Sequence, residues 1–149
     1  MPVTILLGSK VDMEHAEKIA AVIQEYGVGT EIIVASAHKV PEKVIGIVEK
    51  LNANKDPTVI ITVVGMSNGL GGVVAGSSVH PVINCPPFKD HDDYLVNVHS
   101  NLQMPSDVPV MTVLNYKNAA LCALRILGES DAGLKGKLME RIRKIKAEY

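Results

Sequence analysis

One transition recurs along the chain. A short apolar, β-branched run stops at glycine or small polar residues, and a pattern of helical period follows. Val3-Thr4-Ile5-Leu6-Leu7 ends at Gly8-Ser9. Ala16, Ile19, Ala20 and Ile23 then recur at helical spacing from Asp12, an N-cap residue type, to Gly27, which suits a helix end. Glu31-Ile32-Ile33-Val34-Ala35 breaks at Ser36-Ala37-His38-Lys39, and Pro41 opens a second helical stretch with Val44, Ile45 and Val48 inward. Val59-Ile60-Ile61-Thr62-Val63-Val64 breaks at Gly65-Met66-Ser67-Asn68-Gly69. Continuous rather than alternating apolar runs are what strands buried on both faces require.

The second half repeats the transition less cleanly. Residues 73–78 read as a short helix, 81–83 as a strand stopped by Cys85-Pro86-Pro87, and 109–113 as another strand. Residues 118–127 read as a buried helix and residues 134–149 as a final amphipathic one. Strands alternating with helices imply right-handed crossovers and parallel pairing. The expected architecture is therefore α/β. It is a flavodoxin-like three-layer α/β/α sandwich with a mainly parallel sheet of about five strands, in one domain over residues 1–149.

Composition narrows the function. Lys plus Arg number 15 and Asp plus Glu 16, a net charge of −1, which argues against a whole-surface nucleic-acid binder. Aromatics make up 3% with no Trp, too few for a base-stacking platform. Two cysteines, Cys85 and Cys122, make no disulfide framework and read as buried structural thiols. The start shows no basic n-region or cleavage site, and no apolar run approaches the ~20 residues of a membrane span, so a cytoplasmic protein is expected.

In a doubly wound sheet, ligands bind beyond the carboxyl ends of the strands. The loops there, 8–12, 36–39 and 65–69, consist largely of small polar residues and glycine, and each leads into a helix N-terminus that favours an anion. A phosphorylated small molecule fits them. His38 is the histidine placed in this group, able to act as acid or base near neutral pH, with Lys39 beside it. His15 reads as a surface residue of the first helix. The run Lys89-Asp90-His91-Asp92-Asp93 reads as a solvated loop rather than a metal site, because no second His or Cys stands at ligand spacing. Neither a Walker A sequence nor Gly-x-Gly-x-x-Gly occurs.

Taken together, Gly8-Ser9-Lys10-Val11-Asp12, Ser36-Ala37-His38-Lys39 and Ser67-Asn68-Gly69-Leu70-Gly71 resemble the PurE family. So do residues 81–87, Gln103-Met104-Pro105-Ser106 and Asn118-Ala119-Ala120, which extends the resemblance over essentially the whole chain. It implies carboxylation of 5-aminoimidazole ribonucleotide at its ring carbon in purine biosynthesis. Ser-Ala-His-Lys, Ser-Asn-Gly-Leu-Gly and Cys-Pro-Pro look like the class that uses CO2 directly. A mutase acting on the N-carboxylated isomer is the alternative.

By resemblance, His38 handles the ring proton. Ser36, Ser67 and Asn68 orient the carboxyl group, and Lys39 supplies charge. Ser9 meets phosphate or ribose and Asp12 the ribose hydroxyls. Gly8, Gly65, Gly69 and Leu70 approach the ligand. No metal, biotin or ATP is expected. Nor is nucleic acid or membrane a partner; a homo-octamer is, with the helix of residues 134–149 packing on neighbouring subunits. Val11, Met66 and Gln103 depart from the family pattern at the phosphate end, so another aromatic nucleotide as substrate, or a non-catalytic nucleotide-binding module, are further readings.

Overall fold

The computed structural model describes residues 2–149; Met1, which the single-domain expectation also spans, lies outside the described residues. Among those residues one parallel sheet of five strands has the order β2-β1-β3-β4-β5. The strands are β1 (Pro2–Leu7), β2 (Gly29–Val34), β3 (Val59–Val63), β4 (Val82–Asn84) and β5 (Met111–Thr112). This order is the flavodoxin-like one expected from the alternating pattern. Leu7 pairs with both Val34 and Val63, and Asn84 with Thr112, so the strand ends line up along one edge.

Every residue of β3 is buried, which explains a sequence apolar at every position but Thr62. One face of the sheet is covered by α1 (Met13–Gln24), α6 (Tyr116–Gly128) and α7 (Ala132–Lys146). Ile5, Leu7, Ile19, Ile23, Ile61, Leu124 and Leu127 are packed together there. The other face is covered by α2 (Pro41–Asn52) and α3 (Gly69–Ser77), with Leu6, Val44, Val48, Ile60, Leu70 and Val74 in a second cluster. Three layers follow from two apolar faces that both need cover. Leu134 and Leu138 of α7 are buried on the chain's own core, while Met139, Ile142 and Ile145 stay exposed. Among the described residues no helix is long and apolar enough to cross a membrane.

Ile45, expected inward on α2, is exposed, and Cys122, expected as a buried thiol, is half-buried; four other local expectations are also corrected. The third helix begins at Gly69 rather than Val73, because Asn68 caps it by accepting the Gly71 N–H at 2.8 Å. Asp12 stands at the start of α1 but makes no capping bond; Ser9 instead caps a preceding 3₁₀ turn, Lys10–Asp12. The segment read as a solvated loop opens α4 (His91–Asn97), capped by Asp90, and α5 (His99–Leu102) follows. Its apolar side chains Leu95, Val96 and Leu102 face outward, so no inward apolar stripe marks it as helical.

His15 is the fourth. It is half-buried rather than a surface residue: its Nε2 lies 3.4 Å from Cys85 Sγ, and its ring meets Tyr116 edge-on at 6.2 Å. It thus joins α1 to the end of β4 and the start of α6. Burial, with Lys18 nearby, lowers its pKa from the ordinary 6.5. The unfolded chain therefore takes up this proton at a higher pH than the folded one. His15 contributes full stability above about pH 6.5, and that contribution is lost as pH falls from there through the lower folded value. Replacing His15 by Gln should shrink the drop in Tm between pH 7.5 and 5, read by thermal unfolding; an unchanged drop would contradict the buried, neutral imidazole.

Candidate active site

The loops following β1, β2, β3 and β4 meet at the carboxyl edge of the sheet. Glycines allow the approach. Gly8 continues the pairing of β1 by donating its N–H to Val63 O at 3.3 Å, and a side chain there would stand 3.2 Å from Val64 Cγ2. Gly65 lies under the loop after β4, where a Cβ would sit 3.7 Å from Pro87 O. The loop after β2 closes as a turn, with the Val40 N–H donated to Ser36 O at 2.9 Å, before Pro41 starts α2.

That turn carries His38 across the end of β1 to the first residue of α3. The imidazole lies on Gly69: a Cβ built there would be 2.7 Å from His38 Nε2 and 2.8 Å from Cε1. The ring is otherwise exposed. It sits beside free N–H groups at the start of α3, where the helix dipole favours negative charge. A base adjacent to such a donor set can exchange a proton with a ligand whose developing anion the helix end stabilises.

The other expected residues fall at graded distances from solvent. Ser9, Lys39 and Ser67 are exposed, and Ser36 is half-buried. Asp12 is half-buried in the first loop; burial raises its carboxyl pKa, opposed by the positive charge of Lys89. Leu70 is 2% exposed and packs in the core cluster with Val44 and Val74, so only its backbone can meet a ligand. Asn68 is 5% exposed and turned inward. Its Oδ1 accepts from Gly71 N and its Nδ2 donates to Asn101 Oδ1, leaving one N–H and one lone pair free. Val11 and Met66 stand 85% and 77% exposed on the first and third loops. Met66 adopts φ 60°, a left-handed conformation that costs a side-chain-bearing residue about 1–2 kcal/mol.

Four residues that sequence reasoning missed shape this site. Asn84 accepts from the Thr62 hydroxyl at 2.5 Å at the end of β4, and the positive charge of Lys89 acts on Asp12. Ser100 and Asn101 contact the loop after β3. Asn97 and Asn101 stand at i, i+4 in a polar stretch, a signal for one helix face that could have been read. Cys85 is fully buried, and burial pushes its thiol up to about 12, which makes it a poor nucleophile. Among the described residues no three His, Cys, Asp or Glu side chains come together as a metal would need.

The two glycines of α3 make opposite demands. Gly69→Ala should leave stability nearly unchanged, because the exposed imidazole can swing aside, yet it displaces the ring and should abolish activity. At Gly71 a Cβ would stand 2.7 Å from both Asn68 Oδ1 and Asn84 Nδ2, in a buried cluster with nowhere to move. Gly71→Ala should therefore cost about 1–3 kcal/mol, measured by urea unfolding. Equal effects of the two substitutions would contradict the geometry.

The chain matches the family model of AIR carboxylase over residues 2–148. It is 46% identical over 126 residues to a Drosophila melanogaster protein named bifunctional phosphoribosylaminoimidazole carboxylase/phosphoribosylaminoimidazole succinocarboxamide synthetase; the match spans 85% of this chain and 29% of that protein. It is 41% identical over 129 residues to phosphoribosylaminoimidazole carboxylase of Treponema denticola, spanning 87% of this chain and 80% of that one. Among solved structures, Treponema denticola PurE superposes with a TM-score of 0.92 at 36% identity, covering 99% of this chain and 92% of that chain. With a family model matched over residues 2–148 and relatives identical at 41% and 46% over most of its length, the chain belongs to the AIR carboxylase family.

Proposed function

We propose that the chain carboxylates 5-aminoimidazole ribonucleotide with dissolved CO2, reversibly, in purine biosynthesis. The observation that carries this is the His38 imidazole seated on Gly69 at the start of α3. The relatives' names supply the substrate class, since both are called phosphoribosylaminoimidazole carboxylases.

The chemistry suits a site of this composition. The aminoimidazole is an electron-rich enamine. Its amino lone pair pushes through the ring, C4 attacks the carbon of CO2, and one C–C bond forms as a C=O π bond opens to carboxylate. The C4 proton then leaves to His38, restoring the aromatic ring. In reverse, His38 returns the proton to C4 and CO2 departs. Electrons and atoms balance without ATP, biotin or a metal, and none is part of this reading. Ser36, Ser67 and the remaining amide N–H of Asn68 orient the new carboxylate, and Lys39 offsets its charge. Ser9 takes the phosphate or ribose, and Asp12 accepts from the ribose hydroxyls. Gly8, Gly65, Gly69 and the Leu70 backbone line the approach. A homo-octamer completes the reading, supported by the exposed apolar side chains Met139, Ile142 and Ile145 on α7.

Two other substrates remain open to the same site. The mutase reading takes the carboxyl group from the N-carboxylated isomer of the nucleotide. Another aromatic nucleotide is favoured by Val11 and Met66, whose exposed apolar side chains rim the loops where a phosphate would want donors.

His38→Asn tests the proton transfer. The side chain is exposed, so the variant should fold as the wild type does. Turnover of aminoimidazole ribonucleotide, followed by ultraviolet absorbance, should fall by roughly 10²–10⁴-fold. Near wild-type turnover would remove His38 from the mechanism.

A further inference from the structure

We propose that Ser100 and Asn101 are positioning residues that clamp the loop after β3, and with it Asn68, in its working shape. This rests on the carboxylase reading of that loop. The contacts come from a turn distant in sequence. The Asn68 backbone N–H donates to Ser100 Oγ at 3.3 Å. The Ser100 hydroxyl proton lies within reach of two carbonyls, Met66 O at 3.1 Å and Asn97 O at 2.9 Å, a three-centre arrangement. One side chain thus bridges the carbonyl of residue 66 and the N–H of residue 68, on either side of Ser67.

Asn101 supplies the second hold. It is 1% exposed and accepts from the Asn68 side-chain Nδ2. Its own Nδ2 donates to Asn97 O at 3.0 Å, and its backbone carbonyl accepts from the Thr112 hydroxyl at 2.9 Å. Asn101 is therefore fixed from α4 and from β5 before it reaches Asn68. With its amide orientation set, Asn68 can present Oδ1 to Gly71 N and keep α3 starting at Gly69, under the His38 ring. The clamp offsets the unfavourable backbone of Met66, whose φ of 60° no side-chain-bearing residue prefers. Without it, residue 66 relaxes and the loop carries Ser67 and Asn68 out of register with His38.

A cycle of variants tests this. Ser100→Ala should lower kcat by roughly 10–100-fold with little change in KM, the effect of misplaced rather than missing contacts. Ser100→Thr, which keeps the hydroxyl, should retain activity. Met66→Gly placed in the Ser100→Ala background should recover part of the loss, because glycine holds positive φ without a clamp; the Met66→Gly single variant closes the cycle. Amide hydrogen exchange over residues 65–72 should show lost protection at Asn68 and Gly71 in Ser100→Ala and regained protection in the double variant. Should Ser100→Ala fail to fold, Ser100→Cys, of similar size but a weak hydrogen-bonding group, should show the same losses. Wild-type kcat and exchange in Ser100→Ala would overturn the clamp, as would strictly additive losses across the cycle. A wild-type protein that turns over no aminoimidazole ribonucleotide would instead defeat the carboxylase reading, and the exchange comparison alone would then decide the clamp.

Discussion

His38 can lie over the start of α3 only because residue 69 has no side chain. The absence of one carbon atom at Gly69 sets where the imidazole rests, which loop it faces and which donors stand beside it. Parallel pairing brings the loop after β2 and the start of α3 to the same edge, although β1 lies between their strands. The crossover geometry of a doubly wound sheet thus becomes a contact between a base and a helix N-terminus.

The layer behind this contact is polar and buried. Thr62 donates to Asn84 at the strand ends, and a separate run of contacts leads from Asn68 through Asn101 to the Asn97 carbonyl on α4. Such groups destabilise a fold unless each finds a partner, and once satisfied they hold one arrangement against its neighbours. Among the described residues the Nδ2 of Asn84 finds no hydrogen-bond partner, beside the position a Gly71 side chain would fill. The site is closed at Asn68 and Asn101, which are buried, and open where His38, Lys39 and Ser67 reach solvent.

Much of this was legible in the sequence, and the legible parts share a cause. β1 and β3, inside the sheet, are buried and read as apolar runs, and the apolar run of the half-covered edge strand β2 marks it too, so 3–7, 31–35 and 59–64 found β1, β2 and β3 to within a residue or two. The positions of the loops, and of His38 within them, follow from that order. What escaped depends on polar caps and on contacts between distant segments. Four glycine-rich residues at 69–72 look like loop until Asn68 is known to cap them. α4 and α5 bury Asn97 and Asn101 rather than an apolar stripe, so apolar periodicity is blind to them and only the i, i+4 spacing of the two amides marks the helical face. His15 looks like a surface residue of an amphipathic helix until Cys85 and Tyr116 are brought against it. The inward turn of Asn68 and the burial of Leu70 likewise depend on neighbours that no local spacing reveals.

On the proposed function, this edge of the sheet joins CO2 to an electron-rich nucleotide with no energy source beyond the reactants. The most direct measurement follows the ultraviolet absorbance of aminoimidazole ribonucleotide with the wild-type protein while bicarbonate is varied and ATP is omitted. A rate that rises with dissolved CO2 is the predicted result. A rate indifferent to CO2, dependent on ATP, or seen only with the N-carboxylated isomer would contradict it.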